Sequence, residues 1–182
     1  GVLLLVSLIS YSPDDPNFIF PQNTKIYNLL GFQGSYVSDF FFQSIGLASY
    51  LVSVTLIFTG VNIYNNKNFF LIIENFFFVV LYLISASLFF NFFYENPFVL
   101  YINGNGGFVG KYLNDGFLNE IINLNTKISY YFLVLLIIGL FLKSINFSLK
   151  KFLYTLRKIK NFINKDKNET YTDKSEIINE YI

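Results

Sequence analysis

Three long apolar runs constrain what this chain can fold into more than any other feature of its sequence. Residues 40–61 contain no charged side chain, residues 69–93 contain one, Glu74, and residues 128–147 contain one, Lys143, near their end. A helix needs about 20 predominantly apolar residues to cross the hydrocarbon layer of a bilayer, which is about 30 Å thick. Each run therefore predicts one membrane-spanning helix.

A shorter apolar run, GVLLLVSLIS, opens the chain at residues 1–10. We interpret it as part of a fourth crossing, truncated at the N-terminus, because about ten residues are too few to span a bilayer. The predicted fold class is an all-α membrane protein with four transmembrane helices, joined by short extracytoplasmic segments. We place this membrane domain at residues 1–148, with crossings at about 1–10, 40–61, 69–93 and 128–147. The alternative, a soluble protein with these runs as strands, fails because strands are usually about 3 to 10 residues long.

The composition agrees with lipid as the surrounding solvent and excludes several kinds of catalytic site. Hydrophobic residues make up 53% of the 182 residues and charged residues only 14%, so few side chains favour water. The sequence contains no Cys and no His. Their absence excludes disulfides, thiolate metal sites, imidazole bases and Ser-His-Asp triads within this chain. Catalysis would have to rest on carboxylates, Lys or Tyr, and we assign no catalytic, cofactor-binding or metal-binding residue to this chain.

The segment at residues 149–182 is predicted to begin as a basic helix beside the membrane. Its apolar residues follow one helical stripe and its basic residues lie mostly off it. Such a helix binds anionic lipid at about 1 kcal/mol per basic residue. The rest of the segment mixes both charge signs, which is typical of a flexible cytoplasmic linker. The residues predicted to contact anionic lipid are Lys150, Lys151, Arg157, Lys158 and Lys160.

The same basic residues predict the orientation of the chain in the membrane. Lys and Arg concentrate in the cytoplasmic segments of membrane proteins, so the segment after residue 147 is predicted to be cytoplasmic. Counting back through the crossings places residues 94–127 and residues 11–39 outside. Both ends of the membrane domain are then inside the cell.

The two outside segments are rich in residues that form turns. YSPDDPNF at residues 11–18 predicts a turn, because two prolines bracket two acids. Gly31 and Gly34 are expected to break any helix before the second crossing, and NGNGGFVG at residues 103–110 is expected to lack regular structure. The apolar spacing of residues 111–124 predicts a short interfacial helix.

Two features inside the crossings are candidate sites. Glu74 is a candidate polar site, because ionisable groups inside a membrane are often functional. It lies close to the predicted cytoplasmic boundary, so we expect interfacial or interhelical hydrogen bonds, with a proton or ion relay as the alternative. Small residues at short helical spacings let helices approach closely. The candidate packing residues of the second crossing are Gly46, Ser49 and Ser53.

One short stretch imitates a phosphate-binding loop. NGGFVGKY places Gly110 and Lys111 as the pattern G-x-x-x-x-G-K-[ST] requires. However, Asn105 stands in place of the first Gly, and Tyr112 stands in place of the Ser or Thr that holds Mg²⁺. We therefore interpret the stretch as a glycine-rich turn that leads into the interfacial helix.

Three stretches together carry a family resemblance. LISYSPDDPNF ends the first crossing, NLLGFQGSYVSDFFFQSIGLASYLV leads into the second, and GGFVGKYL precedes the fourth. In order and spacing they resemble the S-Y-x-P-x-D-P, N-x-x-G-x-x-G-x-x-x-A/S-D and G-G-x-x-G-x-x-L elements in the membrane domain of the FtsK/SpoIIIE DNA translocases. The matching positions are Ser10, Tyr11, Pro13, Asp15, Pro16, Gly31, Gly34, Asp39, Gly106, Gly107 and Gly110.

The resemblance implies that the chain is one part of a larger machine. Family members connect four crossings, through a cytoplasmic linker, to a hexameric RecA-like ATPase and a winged-helix DNA-reading module. By this resemblance ATP, Mg²⁺ and DNA belong to the missing C-terminal part, and the chain itself is a non-catalytic anchor. Its implied place is the division septum of the bacterial inner membrane, in chromosome segregation and cell division. Its implied partners are the lipid bilayer, divisome membrane proteins and further copies of itself, assembled as a hexamer.

Two other classes of protein share some of these features. A subunit of a small carrier or channel would also have several crossings and an intramembrane acid, but it would typically show paired broken helices or several deep charges. A membrane enzyme would need clustered carboxylates. Only Asp14 and Asp15 stand close together, and their PDDP setting is typical of a turn.

Overall fold

The computed structural model describes residues 1–17, 25–66, 70–94 and 103–148, together with positions 150, 153, 157 and 161. All regular structure in this part of the chain is helical, and no strand occurs in it. The chain divides into two compact units, Gly1–Asn146 and Phe147–Ile182. The helices named below all belong to the first unit.

Seven α-helices occur among the described residues of the first unit. A turn of 3₁₀ helix, Gly46–Ala48, separates the second helix from the third. In chain order the α-helices are α1 Val2–Ile9, α2 Gly31–Ile45, α3 Ser49–Asn66, α4 Phe70–Phe93, α5 Gly107–Asn114, α6 Phe117–Leu124 and α7 Thr126–Ser144.

Three helical stretches in the described residues are long and apolar enough to cross a membrane. They are Gly31–Asn65, Ile72–Phe93 and Thr126–Ser144. The prediction of helices long and apolar enough to cross a membrane is therefore confirmed for the described residues, whereas the number of four crossings stays a prediction. The helix α1 has 8 residues, which measure about 12 Å at the rise of an α-helix.

The stretch Gly31–Asn65 contains a bend. It is 35 residues long and would measure about 52 Å as one straight helix, far more than the hydrocarbon layer. At Gly46 the backbone has φ 61° and ψ −142°, which ends α2. Only glycine adopts a positive φ at little cost. The residues predicted as one crossing, 40–61, are therefore divided between α2 and α3.

Two expectations about glycine were wrong. The helix α2 begins at Gly31 and includes Gly34, and α5 begins at Gly107, inside the stretch expected to be irregular. The physical reason is that Gly31 and Gly107 have positive φ values of 65° and 64°. Each of these glycines turns the chain sharply into the helix that it starts. The single helix predicted over residues 111–124 is also wrong, because α5 and α6 are separate helices on either side of Gly116.

The helix α4 contacts α3, α5 and α7, whereas α1 packs against α2 and α3. A hydrophobic core joins α4, α6 and α7, and it consists of Leu88, Phe89, Ile122 and Leu133. Five large apolar side chains of α7 are exposed: Ile128, Tyr131, Phe132, Leu135 and Ile138. Such a surface suits contact with lipid chains, which are as apolar as a Leu side chain.

Candidate functional site

A buried carboxylate, Asp15, holds the loop that follows α1. Its Oδ1 atom accepts a hydrogen bond from the backbone N–H of Tyr27 at 2.7 Å, and its Oδ2 atom accepts one from the backbone N–H of Asn28 at 2.8 Å. The Asp15 residue is only 4% exposed. Because both carboxylate oxygens bind backbone groups of this chain, Asp15 stabilises the fold of the loop.

Asn28 extends these contacts to α1 and α2. Its Nδ2 atom donates to the backbone carbonyl of Ser7 at 2.9 Å, and its Oδ1 atom accepts from the backbone N–H of Leu30 at 3.1 Å. The hydroxyl of Ser7 donates in turn to the carbonyl of Gly34 at 2.7 Å. A Cβ atom on Gly34 would lie 2.1 Å from Asn28 Oδ1, so a larger residue would displace the amide.

Two serines complete this group of contacts. The hydroxyl of Ser10 donates to the carbonyl of Val6 at 2.7 Å and accepts from the N–H of Leu29 at 3.1 Å. The hydroxyl of Ser35 donates to the carbonyl of Pro16 at 2.5 Å. These bonds join the first two motif stretches, which are separate in the sequence. We call the group the Asp15 clamp, and its members are Ser7, Ser10, Asp15, Pro16, Asn28, Gly34 and Ser35.

Asp39 is the centre of a second set of polar contacts, which connects the loop after α1 to the segment before α5. Tyr11 Oη donates to Asp39 Oδ1 at 3.3 Å, and Gln43 Nε2 donates to the same oxygen at 3.4 Å. Asn103, just before the third motif stretch, donates its Nδ2 hydrogen to the carbonyl of Gln43 at 3.1 Å. The Asp39 residue is buried. These contacts fix the position of α2 between the two segments.

Two positions of the first two motif stretches lie outside both sets of contacts. Pro13 is exposed in the loop after α1. A Cβ atom on Gly31 would meet no atom within 4 Å, so space does not require glycine there. The positive φ at the start of α2 requires it instead.

Glycines let three backbone segments touch where α2, α4 and α5 meet. A Cβ atom on Gly46 would lie 2.0 Å from the carbonyl oxygen of Asn105, and one on Gly107 would lie 2.5 Å from the backbone nitrogen of Gly46. Cβ atoms on Gly106 and Gly110 would lie 2.4 Å and 2.3 Å from the carbonyl oxygen of a serine in α4, Ser87. We call this group the glycine joint, and its members are Gly46, Ser87, Asn105, Gly106, Gly107 and Gly110.

Hydrogen bonds hold the glycine joint together. The backbone N–H of Leu47 donates to the carbonyl of Asn105 at 2.9 Å, and the Ser87 hydroxyl donates to the carbonyl of Ile45 at 3.1 Å. Backbone atoms of the chain itself therefore lie against the glycines that imitate a phosphate-binding loop, and Lys111 is exposed beside them. Within the described residues, no group of three or more His, Cys, Asp or Glu side chains is placed to hold a metal ion.

Ser49 and Ser53, predicted as packing residues, lie fully buried in α3. The Ser49 hydroxyl donates to the carbonyl of Gly46 at 2.6 Å, and the Ser53 hydroxyl donates to the carbonyl of Ser49 at 3.5 Å. Because each hydroxyl bonds a nearby backbone carbonyl, neither needs a polar partner on another helix. Their role in helix packing stays a prediction.

A cluster of amide side chains near the start of α4 was not found from the sequence. Asn62 of α3 donates to the carbonyl of Ile145 at 2.9 Å, and Asn146 donates to Oδ1 of Asn75 at 2.7 Å. The buried Asn75 also donates to the Thr59 hydroxyl at 3.4 Å. The sequence signal for this cluster is an amide inside an apolar run. We call it the asparagine lock, and its members are Thr59, Asn62, Asn75, Ile145 and Asn146.

Glu74 is exposed on α4, next to the buried Asn75. It therefore lies on the surface of the described helices. Phe78 lies one helical turn further along α4. The Nζ atom of Lys143, in α7, lies 5.8 Å from the centre of the Phe78 ring. The hydrogen-bonding role proposed for Glu74 stays a prediction.

The predicted lipid-contact residues fall partly within the described chain. Lys150 and Arg157 are described, and both are exposed. The other three predicted contacts, Lys151, Lys158 and Lys160, lie outside the described residues. Contact of any of the five with anionic lipid stays a prediction.

Comparison with known proteins gives the relationships of the chain. A family model described as the 4TM region of DNA translocase FtsK/SpoIIIE matches residues 1–157. The chain is 34% identical over 87 residues to the DNA translocase FtsK of Rickettsia typhi, a match that covers 48% of this chain and 12% of the relative. It is 36% identical over 67 residues to the DNA translocase FtsK of Rickettsia bellii, covering 37% of this chain and 9% of the relative. For the DNA translocase FtsK of Azospirillum brasilense the identity is 37% over 62 residues, covering 33% of this chain and 10% of the relative. No solved structure matches.

Proposed function

Because the chain belongs to the family of the 4TM region of DNA translocase FtsK/SpoIIIE, we propose that it anchors a bacterial DNA translocase in the inner membrane and localises it to the division septum. In this role it serves chromosome segregation and cell division without catalysing a reaction. The observation that carries the proposal is the position of the family-motif residues. Nine of the eleven belong to the Asp15 clamp, the Asp39 contacts or the glycine joint, which join helices to one another.

An anchor must keep its helices in a fixed arrangement while an attached motor pulls on it. The Asp15 clamp connects α1 to α2, and the glycine joint connects the end of α2 and the start of α5 to α4. The asparagine lock connects the end of α7 to α3 and α4. Buried hydrogen bonds and close backbone contacts tolerate little displacement, so these three groups favour a stiff helix assembly.

We propose four crossings, with both ends of the membrane domain in the cytoplasm. The helices α3, α4 and α7 have 18, 24 and 19 residues, which measure about 27, 36 and 29 Å and match the hydrocarbon layer. We propose α1 as part of the first crossing. The helices α2, α5 and α6 then lie at the outer surface. The basic residues that follow α7, including Lys150 and Arg157, support a cytoplasmic C-terminal side.

The activities of the whole translocase are proposed to belong to a larger protein of which this chain is a part. The matched region spans about a tenth of each relative, and those relatives are named DNA translocases. ATP hydrolysis with Mg²⁺, DNA binding, hexameric assembly and contacts with divisome membrane proteins are proposed for that larger protein through the family resemblance. This chain supplies the membrane contacts, with anionic lipid bound by the basic residues after α7.

Localisation in dividing bacteria tests the proposal. The chain, joined after Ile182 to a fluorescent protein, is expected to form a band at the septum. The Asp15→Ala variant is expected to lose the band, because it removes the acceptor of two backbone hydrogen bonds. The Asp14→Ala variant is the matched control, since Asp14 is exposed, and it is expected to localise as the unchanged chain does. An even distribution of the unchanged chain around the membrane would refute the localisation role.

A further inference from the structure

A cleft of about 370 Å³ lies between the end of α4 and the start of α7. It combines an ammonium group, hydroxyl groups and aromatic rings, and Lys127 is the one charged residue among those that line it. Its lining residues are Phe93, Thr126, Lys127, Tyr130 and Tyr131.

The polar groups that line this cleft all include hydrogen-bond donors, and Tyr94 lies next to it. Tyr94 Oη and Tyr130 Oη lie 3.1 Å apart and share one hydrogen bond. Each phenol carries one O–H, so when Tyr94 donates to Tyr130 the O–H of Tyr130 can donate to a ligand in the cleft. The Lys127 ammonium offers up to three further donors, and the start of α7 carries the positive end of the helix dipole. Because the cleft presents hydrogen-bond donors and no acid is among its lining residues, an anion is the ligand that it favours.

Packed aromatic rings give the cleft a fixed shape. The Tyr130 ring centre lies 5.1 Å from that of Phe93 and 5.3 Å from that of Phe89. Phe89 belongs to the hydrophobic core that joins α4 and α7. The hydroxyl donors are therefore held in place before a ligand arrives, which lowers the entropy lost on binding.

The surface of α7 beside the cleft indicates which anion fits. Tyr131, Phe132, Leu135 and Ile138 are 67%, 61%, 70% and 49% exposed, and their spacing places them on one apolar face of the helix. A phospholipid would suit both features, because its phosphate group fits the cleft and its acyl chains fit the apolar face. We propose that the cleft binds the phosphate headgroup of a membrane phospholipid, whose acyl chains lie along α7. The proposal requires that α7 lies in a membrane, but it does not require the translocase role.

Native mass spectrometry of the purified chain in detergent, titrated with phosphatidylglycerol, tests the proposal. The Lys127→Gln variant is expected to bind the lipid about tenfold more weakly, the usual effect of losing a charge-assisted hydrogen bond. The Lys127→Arg variant keeps the charge and is expected to retain most of the affinity. The Lys111→Gln variant is the matched control, because Lys111 is exposed on α5 and does not line the cleft.

Three results would overturn the proposal. The first is equal lipid binding by the unchanged chain, Lys127→Gln and Lys111→Gln. The second is displacement of the lipid by inorganic phosphate at equal concentration, which would show that the acyl chains contribute nothing. The third concerns phosphatidylglycerol with a photoreactive acyl chain, which is expected to label residues 131–138 of α7. Labelling of other helices instead would overturn the proposal. Septal localisation is not measured here, so failure of this proposal is distinct from failure of the anchor function.

Discussion

Asp14 and Asp15 are neighbours in the sequence but have opposite surroundings in the structure. Asp14 is exposed, whereas Asp15 is buried and accepts hydrogen bonds from the backbone N–H groups of Tyr27 and Asn28. Two acids between two prolines predict a turn, and nothing in that pattern tells which acid faces inward. The difference arises from the way in which the loop folds against α2. The pair therefore offers a test in which the chemistry of the two residues is identical.

The first prediction at the residue scale concerns this pair. The Asp15→Ala variant leaves two backbone N–H groups without their acceptor, and each is expected to cost about 1–3 kcal/mol of stability. The Asp14→Ala variant is expected to stay within about 0.5 kcal/mol of the unchanged chain, as is usual for a surface substitution. Denaturant unfolding in detergent micelles, followed by circular dichroism, measures both. Equal midpoints for the two variants would contradict the structural role of Asp15.

At the scale of the element, two glycines inside helices, Gly110 of α5 and Gly139 of α7, differ in how close the neighbouring backbone lies. A Cβ atom on Gly110 would lie 2.3 Å from the carbonyl oxygen of Ser87, whereas one on Gly139 would meet no atom within 4 Å. The helix α5 therefore needs glycine where it touches α4, and α7 has no such need. Both residues look alike in the sequence, because composition does not show which glycine faces another backbone.

Alanine at these two positions is predicted to have opposite effects. Gly110→Ala is expected to destabilise the chain by about 1–3 kcal/mol, because the added methyl group overpacks the glycine joint. Gly139→Ala is expected to be neutral or to stabilise by up to about 1 kcal/mol, because it only removes backbone freedom from the unfolded chain. Thermal unfolding of the two variants in the same detergent measures the difference. Destabilisation of similar size in both would show that α5 does not depend on close contact with α4.

The end of α7 gives a second prediction at the element scale. Asn146 donates to Asn75 of α4, and Asn62 of α3 donates to the carbonyl of Ile145. In a double-mutant cycle, Asn75→Ala and Asn146→Ala are expected to show a coupling energy of about 0.5–3 kcal/mol, because the two side chains contact each other. The control cycle pairs Asn75→Ala with Asn123→Ala, since Asn123 bonds to Asn119 on α6 instead. Additive effects in the first cycle would mean that the lock does not hold α7.

The elements were partly predictable, because the strongest signals in this sequence are long and periodic. The apolar runs predict helices of spanning length, and α4 and α7 lie where the runs at residues 69–93 and 128–147 predict them. The bend at Gly46 was not predicted, since it depends on contact with Asn105, which is distant in the sequence. Helices α2 and α5 were missed because glycine was expected to break a helix rather than to start one.

The candidate site was predictable as a set of positions but not as a set of contacts. The motif includes Asp15, Gly34 and Gly107, yet their partner atoms lie on other elements and only the fold brings them together. The asparagine lock belongs to no motif that the sequence suggested. An amide such as Asn75 inside an apolar run was a signal, because a buried polar group requires a partner.

At the scale of the whole molecule, the proposed topology predicts which residues lie on each side of the membrane. The Asp15 clamp lies at one end of the helices, with the exposed Asp14 beside it, and Tyr64 is 84% exposed near the other end of α3. The 18 residues of α3 measure about 27 Å, enough to separate the two ends by a hydrocarbon layer. The clamp therefore belongs to the outer surface in the proposed topology. In the same proposed topology the end of α3 belongs to the cytoplasmic surface.

The absence of cysteine makes this topology directly measurable. Because the chain contains no Cys, a single cysteine introduced by substitution is the one thiol that a maleimide can label. In intact cells, a membrane-impermeant maleimide is expected to label Asp14→Cys and Lys111→Cys, but to label Tyr64→Cys and Lys150→Cys only after the membrane is made permeable. Labelling of Asp14→Cys and Tyr64→Cys from the same side would show that α3 does not cross. If all four cysteines are labelled only after the membrane is made permeable, the Asp15 clamp and α5 lie in the cytoplasm. That result would reverse the assignment of the outer surface.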